Sequence, residues 1–128
     1  MLAKTNNKLL FYEDIDRIID YIVLKKASTN MFITISVKEL TKIMAEKYGL
    51  KYSFNGIKML VGKKLAEFEK QGLLTLLRES PYKKYKVTSR FFEVRFGFKY
   101  RVLRSKPMFY LSPVEITYLM LKQVEGEK

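Results

Sequence analysis

The residues best placed to do chemistry in this chain are cations. Between Tyr82 and Lys106 stand nine of them, Lys83, Lys84, Lys86, Arg90, Arg95, Lys99, Arg101, Arg104 and Lys106, against one acid, Glu93. The whole chain has a net charge of +12, so two thirds of the surplus sits in about a fifth of the length. A uniform surplus would serve solubility alone. A surplus gathered in one segment is the electrostatic footprint of a chain that meets a polyanion, with nucleic acid favoured over an acidic protein or a membrane. A second group is set at helical spacing. Asn55, Gly56, Met59, Lys63, Ala66 and Lys70 recur on one face, with Lys58 at its flank. That face is small, flexible or basic, and Glu67 is the one acid near its border.

Other chemistry is poorly supplied. There is no cysteine, hence no disulfide, zinc–thiolate site or thiol nucleophile. There is no histidine either, which removes the commonest general base and metal ligand. Gly56-Ile-Lys-Met-Leu-Val-Gly62-Lys63-Lys64 looks like a phosphate-binding loop. It has one spacer residue too many, and Lys64 stands where Ser or Thr must hold magnesium. Glu13, Asp14, Asp16 and Asp20 form an acidic patch with no returning ligand, better explained by the dipole at a helix start. No enzyme, metal or small-molecule cofactor is expected. No apolar run approaches the roughly 18 residues that cross a membrane, and Met1 to Lys8 lacks the apolar core of a signal peptide. A cytoplasmic or nucleoid-associated location is the expectation.

These residues need elements to hold them. A first helix is expected from about Glu13 to Lys26, because Ile15, Ile18, Ile19 and Ile22 share one face. Residues 1–12 remain an unassigned N-terminal segment. Ala27 to Asn30 reads as a turn and Met31 to Ile35 as a short strand. Ser36-Val-Lys-Glu39 is a capping box, with Ile35 and Leu40 as its hydrophobic staple, so a second helix starts there. Gly49 is its expected left-handed stop. A third helix runs from about Phe54 to Gln71, with Phe54, Ile57, Val61, Leu65 and Phe68 on the buried arc. Gly72 ends it. Leu73 to Glu79 and Lys84 to Thr88 are strands joined by Ser80-Pro-Tyr-Lys83. Beyond them Phe92, Val94, Phe96, Phe98, Tyr100 and Val102 share one parity, which predicts a long strand with a bulge at Gly97. The last helix has the plainest start. Ser112-Pro-Val-Glu115 combines a capping serine, a first-turn proline and a box glutamate, and Gly126 closes it.

From Ser36 to Thr88 the chain thus reads helix, short turn, second helix, tight basic hairpin. Its centre is Leu65-Ala-Glu-Phe-Glu-Lys-Gln-Gly-Leu-Leu-Thr-Leu-Leu-Arg78, followed by Ser80-Pro-Tyr-Lys-Lys-Tyr-Lys-Val-Thr88. A helix ends at Gln-Gly, passes into an apolar strand, turns at a polar loop and returns as a Tyr/Lys strand. This pattern resembles the winged helix-turn-helix family of DNA-binding domains, and in style the small regulators of archaea and their viruses or plasmids. The resemblance implies an α+β fold, a three-helix core plus a β-hairpin wing, over residues 13–88. It also implies a double-stranded DNA partner and a role in transcription. The second helix of the unit would enter the major groove. Asn55 would pair with adenine, Lys58 or Lys63 would donate to guanine, Met59 would touch a thymine methyl, and Gly56 would let the backbone approach. Lys51, Tyr52 and Ser53 would meet a phosphate at the helix start. Arg78, Lys83, Lys84, Lys86 and Arg90 would grip the backbone.

Residues 89–128 depart from the minimal family pattern. The other parity of their strand, Phe91, Arg95, Lys99 and Arg101, would extend the footprint. Tyr82, Tyr85 and Phe91 are candidate stacking platforms for single strands. The last helix is apolar around much of its circumference, so it is expected to pack or to form a homodimer through Val114, Tyr118 and Leu121. Two other readings fit the same charge: a chromatin or replication protein without sequence preference, and a winged-helix module that docks on an acidic protein.

Overall fold

The isoleucine stripe makes its helix, and the helix outruns the stripe. The computed structural model describes residues 2–30, 32–49 and 52–126, with side chains from residue 11 onward. Its first helix, α1, spans Leu2–Ala27. Ile15, Ile19, Ile22 and Val23 are buried on it, as is Phe11, two residues before the expected start. Glu13, Asp14 and Asp16 therefore lie mid-helix, and no acid occupies its first turn. The dipole explanation of the acidic patch fails, and a boundary at residue 12 has no structural counterpart.

The short strand β1 is Thr34–Ser36, later than expected. Helix α2 follows at Val37–Tyr48. Half of the predicted box forms, since the Glu39 amide donates to Ser36 Oγ at 3.0 Å. The other half is replaced: the Glu39 carboxylate accepts from Lys26 Nζ at 2.9 Å, and this ties α2 to α1. Gly49 is right-handed, with φ −62°, so the expected left-handed stop is not there. Helix α3 covers Phe54–Lys70. Ile57, Val61, Leu65 and Phe68 are buried as the spacing predicts, but Phe54 is 60% exposed. Gly72 adopts φ +78°, where a Cβ would strain the chain. There the Leu73 amide reaches back to the Phe68 carbonyl at 2.9 Å and the Gly72 amide to Glu69 at 3.0 Å, closing the helix.

Strands β2, Leu74–Arg78, and β3, Lys84–Val87, form the hairpin. The sheet order is β1-β3-β2, antiparallel throughout. Ile35, Tyr85 and Leu76 stand in register on the core side. Lys86 pairs with Thr34 and Thr75 on the outer side, and Lys84 with Ser36 and Arg78. An irregularity between Leu76 and Arg78 inserts Leu77.

The long strand predicted next is absent. Residues Ser89–Phe96 form helix α4 and Tyr100–Arg104 form α5. Phe91 and Phe92 are adjacent and both fully buried. Neighbours on a strand face opposite ways, whereas on a helix both fit one broad apolar face. Gly97, with φ +72°, is the left-handed residue after α4 and not a bulge. A single 3₁₀ turn, Met108–Tyr110, leads to α6, Pro113–Val124. Here the capping box is complete: the Glu115 amide donates to Ser112 Oγ at 3.2 Å, and the Ser112 amide to Glu115 Oε1 at 2.8 Å.

The described residues make an α+β fold of six α-helices and one three-stranded antiparallel sheet. The C-terminal part shares one core with the rest. Phe91 packs on Phe68 with ring centroids 6.0 Å apart, Phe92 lies 6.0 Å from Tyr118, and Thr117 Oγ1 donates to the Ala27 carbonyl at 2.8 Å. Tyr118 and Leu121 are buried in this core, so a second copy cannot use them. Val114 is half-buried against it. Among the described residues, no helix is long and apolar enough to cross a membrane.

Candidate nucleic-acid interface

The exposed side of α3 exists because the other side is fully occupied by the core. With Ile57, Val61 and Leu65 inward, Asn55, Lys58, Met59 and Lys63 point outward. Ser53 starts the helix by accepting from the Gly56 amide at 3.1 Å. A Cβ on Gly56 would sit 3.1 Å from that hydroxyl, so the cap itself favours glycine there. Lys64, one residue after Lys63, has the opposite fate. It is buried, 2.9 Å from Asp16 and 3.6 Å from the centre of the Tyr12 ring. Burial, then the Glu67 carboxylate, push the Tyr12 hydroxyl well above its usual range.

The hairpin tip folds toward this helix face. Between them runs a groove of about 430 Å³, walled by Asn55, Lys58, Met59 and Gly62 on α3 and by Pro81, Tyr82 and Lys83 on the tip, with Glu79 as its one acid. Tyr82 is half-buried at the junction. Its ring centre lies 5.5 Å from Lys38 Nζ and 5.2 Å from Lys58 Nζ, both within cation–π reach. Lys38 of α2 thus joins the site; its exposed start-of-helix position was the only signal for it in the sequence. Lys83 is exposed, and Lys84 and Lys86 are half-buried. Lys86 lies over the Phe32 ring, 5.3 Å from its centre.

Other sequence candidates go elsewhere. Lys51 lies outside the described residues. Tyr52 packs its ring 4.8 Å from Phe11 and 6.1 Å from Tyr48. Arg78 is exposed at the end of β2. Arg90 is exposed, but its Nε donates to the Gln71 carbonyl at 3.0 Å, which pins it against the end of α3. Arg95 leaves the footprint altogether. It clasps Asp20 with two hydrogen bonds of 3.0 and 2.8 Å, and those bonds raise its already high pKa. Lys99 and Arg101 are exposed on the far segment. Tyr85 and Phe91 are fully buried, so no base can stack on either; of the three platforms only Tyr82 remains.

The acidic patch finds its use in the same pattern of pairing. Asp14 accepts from Tyr48 at 2.6 Å and pairs with Lys47. Asp16 holds Lys64 and Asp20 holds Arg95. Three carboxylates of α1 thus neutralise three cations from three other segments, and the cations around Tyr82 keep their charge for solvent. No cluster of potential metal ligands occurs among the described residues. Comparison with protein-family models, with curated proteins and with solved structures returned no match for this chain.

Proposed function

We propose that this chain is a double-stranded DNA-binding protein of the winged helix-turn-helix type, acting as a transcriptional regulator. The observation that carries the reading is the shared groove. Asn55, Lys58 and Met59 of α3 line it together with Tyr82 and Lys83 of the hairpin tip. The element order α1-β1-α2-α3-β2-β3 and the sheet order β1-β3-β2 support the winged arrangement. A helix about 10–12 Å across fits the roughly 12 Å major groove. With α3 inserted there, Asn55, Lys58, Met59 and Lys63 meet base edges. Lys38, Lys83 and Lys84 then meet phosphates on either side, which positions the protein without reading sequence.

Fluorescence anisotropy over a salt series tests this reading. It would compare a random duplex with a duplex selected for binding. Neutralising about six to eight phosphates gives a log–log slope of roughly −5 to −7. Strong preference for the selected duplex supports a regulator. Equal affinity for both moves the protein to the architectural class, and no binding at physiological salt makes a protein-docking role the better reading. A homodimer would match a palindromic site. Its contacts would fall on the exposed Met108, Phe109 and Tyr110 rather than on the buried Tyr118 and Leu121, and a monomeric mass by light scattering would remove it.

A further inference from the structure

Beside the groove, and joined to it through Lys58 and Tyr82, lies a smaller slot of about 210 Å³. Phe54 and Tyr82 supply its rings, Lys38, Lys42 and Lys58 its charge, and Thr41 its inner wall. Two features set it apart. Phe54 stands on the apolar arc of α3, yet it is 60% exposed. Thr41 is buried, and its hydroxyl has no hydrogen-bond partner among the described residues. Burying a hydroxyl unpaired is unfavourable, and this one lies behind the slot wall, closed to solvent.

We infer that this slot takes the base of an unpaired nucleotide, with its strand continuing through the adjoining groove. The inference rests on the preceding reading that this face meets nucleic acid. The slot is smaller than the ~300–1,000 Å³ of a drug-sized site, which suits one planar ring system. Two aromatic side chains offer stacking, which is tolerant of base identity. Three ammonium groups around an apolar slot call for an anion, and a nucleotide carries its phosphate next to its ring. The groove supplies the path for the neighbouring phosphates, past Lys58 and Lys83. A free aromatic acid would fill the slot and leave that path unused.

The test uses three versions of one duplex: fully paired, with a single unpaired thymidine, and with an abasic residue in its place. The abasic probe keeps the phosphate and removes the ring. Anisotropy should show the unpaired thymidine bound about fivefold or more tighter than the abasic probe. That gain should vanish in Tyr82→Ala and in Phe54→Ala and survive in Tyr82→Phe, with all variants melting as the parent does. Equal affinity for the thymidine and abasic probes, with the paired duplex still bound, overturns this inference alone. Failure of every duplex to bind overturns it together with the DNA reading. Adenosine 5′-monophosphate, followed by NMR shifts at Phe54 and Tyr82, is the remaining arm. Saturable binding there without any thymidine gain would assign the slot to a free nucleotide and overturn the strand assignment.

Discussion

The hairpin of β2 and β3 and the segment from Ser89 to Arg104 are similar as sequence and unlike as structure. Both interleave aromatics with Lys and Arg, and both read as basic strands. The hairpin is one. Tyr85 and Val87 face the core while Lys84 and Lys86 face outward, and β1 and β2 satisfy β3 on both edges. The second segment pairs with no strand, although β1 and β2 are both edge strands, and folds as helices α4 and α5. Of its six alternating apolar residues, Val94 and Val102 are about half exposed, while off-parity Phe91 is fully buried. The cations diverge in consequence. The hairpin tip and α3 hold theirs around an open groove, whereas in the second segment Arg95 is spent on Asp20. Basic density along a chain therefore overstates basic surface wherever carboxylates from another element can reach it.

The sharpest way to break this contrast is Phe92→Ala. The ring is fully buried between Phe96, Phe98 and Tyr118, so its loss should cost about 3–5 kcal/mol, read by urea denaturation. A cost under about 1 kcal/mol would show that α4 does not belong to the common core. Next, Arg95→Ala should destabilise the fold by about 1–3 kcal/mol, since it leaves Asp20 half-buried and unpaired. It should leave the salt dependence of DNA binding unchanged. A shallower salt slope would return Arg95 to the footprint.

On the hairpin side the pattern reverses. Asn55→Ala should cost about 1–3 kcal/mol on a preferred duplex and little on a random one, with no change in melting. Equal losses on both would remove Asn55 from base reading. Combined Lys83→Ala and Lys84→Ala should weaken all duplexes alike and flatten the log–log slope by about 2, again without destabilising the fold.

The smallest effect concerns pH. Burial alone would raise the Asp14 carboxyl, but Lys47 and Tyr48 outweigh it and hold it below the usual range. A depressed folded pKa means stability present above the unfolded value of about 3.9. That stability is lost as pH falls through the lower folded value. Tyr48 is pushed up to about 12 by burial, then by its hydrogen bond to Asp14. Its contribution is present below about pH 10 and disappears as pH rises toward 12. Asp14→Asn should flatten the acid limb of the stability profile and shorten the alkaline one. An unchanged acid limb would mean that the Asp14 contacts are not formed in solution.

Much of the chain could be read locally. The Ser36, Ser53 and Ser112 starts, the Gly72 stop and the hairpin all depend on neighbours within a few residues, so short-range geometry decides them. The buried arc of α3 was legible for the same reason, and with it the outward placement of Asn55, Lys58, Met59 and Lys63. The start of α1 was not legible, because Phe11 is held by Tyr48 and Tyr52, more than 30 residues away in the sequence. Nor was the slot, whose walls come from α2, α3 and the hairpin tip.

The amino-acid sequence by itself determined the Ser53 and Ser112 helix starts, the Gly72 stop, the hairpin, the buried stretch of α3 from Ile57 to Phe68 and the gathering of positive charge, since each follows from backbone conformation and side-chain spacing within a few turns. Only the tertiary structure decided which cations stay free. Helical spacing turns Lys63 outward and sets Lys64 one step round toward the buried arc, but it does not decide whether Lys64 keeps its charge for solvent. Asp16 on α1 lies within reach of one and not the other, and that distance exists only once two helices have packed.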